Sequence, residues 1–188
     1  MIFSLIVKKI GGYNGLRRKY NNTKFNSLKK IFKILNRLYN YESNAYIPFN
    51  NIIHGEINFP HGISGVFISG DSVIGSNCTI YHQVTIGSNT LIGSKTFGSP
   101  KLGDNILIGA GAKIIGRISI GDNVRIGANA VVTNDIPDNC IVVNGNQTVI
   151  QKDQLNNRIY QKSVNGWGYM KDGSFIKETN TDIINSLN

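Results

Sequence analysis

The chain has 188 residues, a formal net charge of +9 and a hydrophobic fraction of 40%. This length sets one domain with short appendages, and no run approaches the roughly 18 apolar residues of a membrane span. Two cysteines, Cys78 and Cys140, make no disulfide framework, which excludes a disulfide-stapled secreted scaffold and suits a reducing cytoplasm.

The charge is uneven. Residues 1–41 hold ten of the twenty Lys and Arg and no acid, whereas the remainder carries ten bases against eleven acids. Met1–Val7 is apolar but too short for a signal segment with its cleavage site. Between Lys24 and Tyr39, Phe25, Leu28, Ile31, Phe32, Leu35, Leu38 and Tyr39 recur at three- and four-residue steps, which predicts an amphipathic helix. Lys24, Lys29, Lys30, Lys33 and Arg37 fill its other faces. Such a helix suits peripheral contact with an anionic membrane, at its inner face for a cytoplasmic protein. The favoured reading is packing on the base of the solenoid with a solvated basic face. Nucleic acid is not expected, because no base-reading module follows.

From Ile47 onward the period changes to six. Ile47, Ile53 and Phe59 stand six apart, as do Ile68, Ile74, Ile80, Ile86 and Ile92, and then Leu102, Ile108, Ile114, Ile120, Ile126 and Val132. Four positions after most of these comes a small or β-branched residue, including Ser72, Cys78, Val84, Thr90, Ala112, Val124 and Ala130. A hexapeptide repeat of this kind reads as a parallel β-helix of about five three-sided coils. Its inward aliphatics stack into a continuous core. The pairs Ser76-Asn77, Ser88-Asn89, Asp104-Asn105 and Asp122-Asn123 suit the tight corners. Cys78 occupies an inward slot and reads as a core thiol. Open coil edges need covering, for which the N-terminal arm and the tail after Ile150 are available. The expected boundaries are a basic, partly helical arm at 1–44, the β-helix at 45–150 and a short docked extension at 151–188, frayed over 179–188.

The repeat slips twice. Phe59 to Ile68 is nine residues, and Ile92 to Leu102 is ten. The first slip contains Phe59-Pro60-His61-Gly62, and an imidazole there can act as a general base near neutral pH. The second contains Gly93 to Lys101, a loop expelled from the coil. His82 lies two residues after Ile80, as His61 lies two after Phe59. If the slip adds only a bulge, the two imidazoles share one phase on neighbouring coils, and His82 either orients His61 or binds acceptor beside it; a solvent-facing corner residue is the alternative.

The strings Phe59-Pro60-His61-Gly62, Cys78 to Gly87, Ile108 to Gly116, Gly127 to Val132 and Asp135-Ile136-Pro137 resemble the hexapeptide-repeat acyltransferases. Within that superfamily they resemble the branch of serine acetyltransferases and bacterial polysaccharide O-acetyltransferases. The resemblance covers Ile47–Ile150. It implies a mainly β fold, a left-handed parallel β-helix, a homotrimer, and acetyl-CoA held between neighbouring subunits, with no metal. It places the catalytic base at His61, which would take the proton of the acceptor hydroxyl as that oxygen attacks the thioester, while backbone N–H groups hold the oxyanion. It places Ala110 and Ala128 along the pantetheine. Lys101, Lys113 and Arg125 are available to the CoA phosphates, and a solvated coil face accounts for each equally well. Ser99 and Tyr81 are expected near the acceptor.

Three positions depart from the serine acetyltransferase pattern. The acid before the catalytic His is Pro60, a second acid from an earlier coil is Tyr46, and a second His in the later loop is Ser99. A site that pairs an amino acid's charges should not lose them all and keep its substrate. The expected acceptor is therefore a carbohydrate hydroxyl of a surface glycan, capsule or O-antigen in type. Serine O-acetylation and N-acetylation of a nucleotide-linked amino sugar are the alternatives. Two other classes compete: a γ-type carbonic anhydrase, which needs His54, His61 and His82 to converge on zinc, and a trimeric scaffold without catalysis.

Overall fold

The computed structural model describes residues 2–91, 93–143, 148–151, 158, 160–171 and 173–187. Three helices open the chain: α1 (Ile2–Lys9), α2 (Gly12–Asn22) and α3 (Asn26–Glu42). Only α3 was legible as a periodic stripe. α1 and α2 are short, and they bury just Val7, Tyr13, Gly15 and Leu16, too few positions to set a period.

The coils follow. The first contains β1 (Ile52–Ile53) and single bridges at Tyr46 and Asn58. The second contains β2 (Phe67–Ile68), β3 (Val73–Ile74) and β4 (Thr79–Ile80). The third contains β5 (Thr85–Gly87), β6 (Lys101–Leu102) and β7 (Leu107–Ile108). The fourth contains β8 (Lys113–Ile115), β9 (Ser119–Ile120) and β10 (Arg125–Ile126). The fifth contains β11 (Val131–Val132), a bridge at Ile136 and β12 (Cys140–Val143).

All pairing between coils is parallel and in register, so the chain is a left-handed parallel β-helix with three flat faces. The first face is β1-β3-β6-β9, the second β4-β7-β10-β12 and the third β2-β5-β8-β11. Ile68, Ile86, Ile114 and Val132 stack inside the third face, each fully buried. Each such side chain contributes about 1.5–3 kcal/mol of apolar burial. The small slots Ser72, Cys78, Val84, Ala112, Val124 and Ala130 are buried at the corners. Asn77, Asn105 and Asn123 take left-handed φ angles of 56–57° there, which Asn tolerates.

The coil geometry corrects two repeat assignments. The core position after Ile86 is Leu102, sixteen residues on, because Ile74 pairs with Leu102. Ile92 lies outside the described residues, and Thr90, expected in an inward slot, is exposed. Ser88-Asn89 makes no corner of the Asn77 type. Asn89 instead pairs antiparallel with Gly98 and closes the expelled loop, and its side chain donates to Ser94 Oγ at 2.8 Å and Thr96 Oγ1 at 3.0 Å. The fifth coil is shorter, with Ile136 opposite Ile120.

Helices cover the first coil, and the last coil gains one further strand on its second face. At the first, Asn36, Tyr39 and Asn40 of α3 are buried against the body, so the helix packs on the base, while Leu28, Ile31 and Ile34 stay exposed. Asn14 Nδ2 of α2 donates to the Ile57 carbonyl at 2.8 Å, and Arg17 donates to both oxygens of Asn51. At the other end β13 (Thr148–Gln151) folds back antiparallel on β12. The described part of the extension holds regular elements. β14 (Tyr160–Ser163), β15 (Gly166–Lys171) and β16 (Ser174–Lys177) form an antiparallel sheet, followed by α4 (Thr181–Leu187). Glu178 holds that sheet's end, accepting from Tyr160 Oη at 2.7 Å. Asn188 lies outside the described residues.

Candidate active site

The first slip places His61 at the corner between the second and third faces. Asn58 bridges Thr79 and Tyr46 bridges Phe67, so the coils on either side of the slip stay in register. The three added residues leave the coil as a bulge over 60–65, stapled by Gly62 N–H to the Phe59 carbonyl and Gly65 N–H to the Ser43 carbonyl, each 3.0 Å. Gly62 has φ +70°, the left-handed turn that a residue without Cβ takes without strain.

His82 occupies the same corner one coil on. The His61 and His82 Nδ1 atoms are 3.0 Å apart, with ring centroids at 5.1 Å and planes tilted by 36°. Neighbouring coils lie about 4.8 Å apart, so the two rings stack as two rungs of one column. Tyr81 stands edge-on to His61, centroids 5.4 Å apart and planes at 85°. Among the described residues, His82 and Tyr81 are the ring contacts of His61, and neither is a carboxylate.

The column continues with alanines. The Gly111 N–H donates to the His82 carbonyl at 3.0 Å, and the Asn129 N–H donates to the Ala110 carbonyl at 2.8 Å. Ala110 and Ala128 therefore follow His82 at the same corner, on the next two coils. Gly109 makes that stacking close: a Cβ there would lie 2.6 Å from the Ala128 nitrogen. The corner thus offers two imidazoles and then two methyl-only positions, a polar end and a smooth apolar track. A thioester with a long flexible arm fits that combination.

The remaining expected residues divide. Lys113 lies beside the same corner on the third face, its Nζ donating to the Gln83 carbonyl at 2.7 Å. Arg125 is on the second face in β10. Lys101 is on the first face in β6, away from the histidine column. Ser99 stands at the corner between the third and first faces, where Ser69, Ser88 and Ser99 form a hydroxyl chain with Oγ–Oγ distances of 2.5 and 2.6 Å. Within one chain, then, His61, His82, Tyr81, Ala110, Ala128 and Lys113 come together, and Ser99 and Lys101 do not join them. His54 is exposed at the end of β1 and also stays apart, so the three histidines do not converge. Cys78 is buried, and burial pushes its thiol up to about 12, which keeps it a protonated core group.

One structural feature was missed from sequence. Asp104, Asp122 and Asp138 form a ladder, each accepting the backbone N–H of the previous coil: Ser76 N–H to Asp104 at 2.7 Å, Asp104 N–H to Asp122 at 2.7 Å and Asp122 N–H to Asp138 at 2.8 Å. Its signal in the sequence is the recurrence of Asp at the corners, Asp104, Asp122 and Asp138, beyond what turn preference requires.

Residues 65–97 and 99–134 match the family of bacterial transferase hexapeptide (six repeats). The serine acetyltransferase of Mycobacterium tuberculosis is 44% identical over 49 residues, 26% of this chain and 20% of that one. The crystal structure of Neisseria gonorrhoeae serine acetyltransferase superposes with a TM-score of 0.61 at 27% identity, over 76% of this chain and 52% of that one. Serine acetyltransferase isoform 3 from Entamoeba histolytica, in complex with cysteine, gives 0.55 at 32% identity, over 74% and 48%. The chain thus spans about half the length of these solved relatives. Residues 65–97 and 99–134 thus carry the repeat of the bacterial hexapeptide transferases, and the β-helical segment is similar in sequence and coil geometry to the serine acetyltransferases.

Proposed function

We propose that the chain is an acetyl-CoA-dependent O-acetyltransferase that works by direct transfer, with His61 as general base. The observation that carries this reading is the column at the second–third corner: His61 and His82, followed by Ala110 and Ala128. Acetyl-CoA, as co-substrate, supplies an activated acyl group. His61 takes the proton of the acceptor hydroxyl as the oxygen attacks the acyl carbon, and the CoA thiolate leaves. Ala110 and Ala128 let the pantetheine lie against the main chain, and Lys113 and Arg125 serve its phosphates. Buried Cys78 takes no part. The chain works as a homotrimer, in which Lys101 and Ser99 of one subunit serve a site shared with the next. The arm at 1–44, the β-helix at 45–150 and the extension at 151–188 are its three units.

The relatives favour L-serine as acceptor over the surface-glycan hydroxyl expected from the sequence. A second reading, a sugar hydroxyl, keeps one supporting observation. The positions where charged partners of an amino acid would stand are Pro60, Tyr46 and Ser99, and no carboxylate contacts the His61 ring among the described residues. CoA release should be measured with L-serine, free sugars, nucleotide sugars and capsule oligomers in parallel. Turnover with L-serine alone establishes the first reading, and turnover with a sugar alone the second. No turnover with any hydroxyl compound would remove both.

No helix among the described residues is long and apolar enough to cross a membrane. The arm does expose Ile2, Leu5, Phe25, Leu28, Ile31 and Ile34 beside its lysines, which supports peripheral contact with an anionic surface.

A further inference from the structure

We propose that His82 is a positioning residue: it accepts the Nδ1–H of His61 and thereby fixes the tautomer in which His61 Nε2 carries the free lone pair. The inference rests on His61 being the base and adds how that base is made competent.

Two ring nitrogens 3.0 Å apart share one proton. One must carry N–H and the other a lone pair, so the two neutral rings adopt opposite tautomers. An unassisted neutral histidine in water favours Nε2–H, which would leave His61 without a base at the ring edge facing away from His82. A hydrogen bond from His61 Nδ1–H to His82 reverses that preference.

The surroundings choose the direction. His82 sits on a regular coil, its carbonyl tied to Gly111 N–H at 3.0 Å and its side chain half-buried. His61 is on the expelled bulge and exposed, so its far ring edge is the one open to a substrate. Tyr81 packs edge-on and limits rotation of the His61 ring. Lys113 stands nearby, but its ammonium is tied to the Gln83 carbonyl at 2.7 Å. When His61 takes the acceptor proton, its Nδ1–H donor becomes charge-assisted and its bond to His82 strengthens. A buried carboxylate beside a catalytic histidine does the same two things. Here a neutral imidazole does them, in a site where no acid lies against His61 among the described residues.

The test compares wild type, His82→Ala, His82→Asn and His61→Ala. Asn keeps an acceptor oxygen near the place of Nδ1, and Ala does not. CoA release is followed with the acceptor that wild type uses, and the ring tautomers are read by 15N NMR at alkaline pH. His82→Ala should lower kcat by roughly 10- to 1000-fold with KM for acetyl-CoA nearly unchanged. His82→Asn should recover most of that loss. The spectra should show His61 as Nδ1–H in wild type and His82→Asn, and as Nε2–H in His82→Ala. Wild-type kcat in His82→Ala, or Nε2–H at His61 in wild type, would overturn the proposal. Full activity in His61→Ala would instead sink the base assignment, and the NMR reading of the tautomer stands apart from it.

Discussion

Asn40 pairs with both backbone groups of Ile47, donating from Nδ2 to its carbonyl at 3.2 Å and accepting its N–H at Oδ1 at 3.2 Å. Asn14 treats Ile57 the same way, at 2.8 and 3.3 Å. Each side-chain amide thus stands in for a neighbouring coil at the open base of the β-helix. Removal of Asn14 leaves both Ile57 groups without that partner, whereas removal of Asn40 orphans the Ile47 N–H alone, since the Ile47 carbonyl still accepts from Asn36 Nδ2 at 2.9 Å; each orphaned group costs about 1–3 kcal/mol. Asn40→Ala and Asn14→Ala should both lower urea stability, Asn14→Ala by more because it orphans two groups rather than one. Because Ile47 and Ile57 lie on different faces, the double variant should be close to additive. Unchanged midpoints would mean that water satisfies these edges.

His61→Ala should reduce acetyl transfer by roughly two to four orders of magnitude, the usual weight of a general base. Its circular dichroism and thermal midpoint should stay near wild type, because the ring is exposed on a bulge outside the coil. CoA release at the wild-type rate would refute the central assignment.

Glu42 accepts the Phe3 N–H at 3.2 Å, the Ser4 N–H at 2.8 Å and the Ser4 hydroxyl at 2.7 Å. These hydrogen bonds and the nearby N-terminus outweigh desolvation and lower its carboxyl to about 2. A depressed carboxyl contributes stability that is present above the unfolded carboxylate range and fades as pH falls toward about 2. Wild type should therefore be more stable than Glu42→Gln at pH 7, and the gap should close on acidification. Urea titrations at several pH values read this directly; a gap independent of pH would show that charge is irrelevant there.

The Cys78 thiol donates to the Gly103 carbonyl at 3.4 Å and is pushed up to about 12, chiefly by burial. Folded protein should resist a thiol-specific reagent at this residue and react once urea unfolds it. The raised thiol also means that stability falls as pH rises past the ordinary thiol range, since the unfolded chain then releases a proton that the folded chain keeps. Rapid labelling of native Cys78 would contradict the placement.

The arm carries ten Lys and Arg and no acid within residues 1–41. Co-sedimentation with vesicles rich in anionic lipid, lost at high salt and absent with neutral lipid, is the expected result. Failure to bind anionic vesicles at low salt would discard peripheral membrane contact.

The six-residue period determined the architecture by itself. A side chain that returns to the interior every sixth residue dictates a three-sided coil, and the core from Ile68 to Val132 lies where the repeat puts it. The matched phase of His61 and His82 was also legible, since each follows a core residue by two. What the sequence left open was whether the nine-residue step between Phe59 and Ile68 preserved that phase. Backbone register decides this: the coils on both sides stay paired, the extra residues bulge outward, and the two imidazoles meet at 3.0 Å. The second slip went the other way. A six-residue spacing carried on to Ile92, yet the coil resumes only at Leu102, because pairing with Ile74 outweighs a local repeat inside a loop. That single register choice separates Ser99 and Lys101 from the histidine column. Local period fixes which side chains point inward; only pairing between distant coils decides which corners they share.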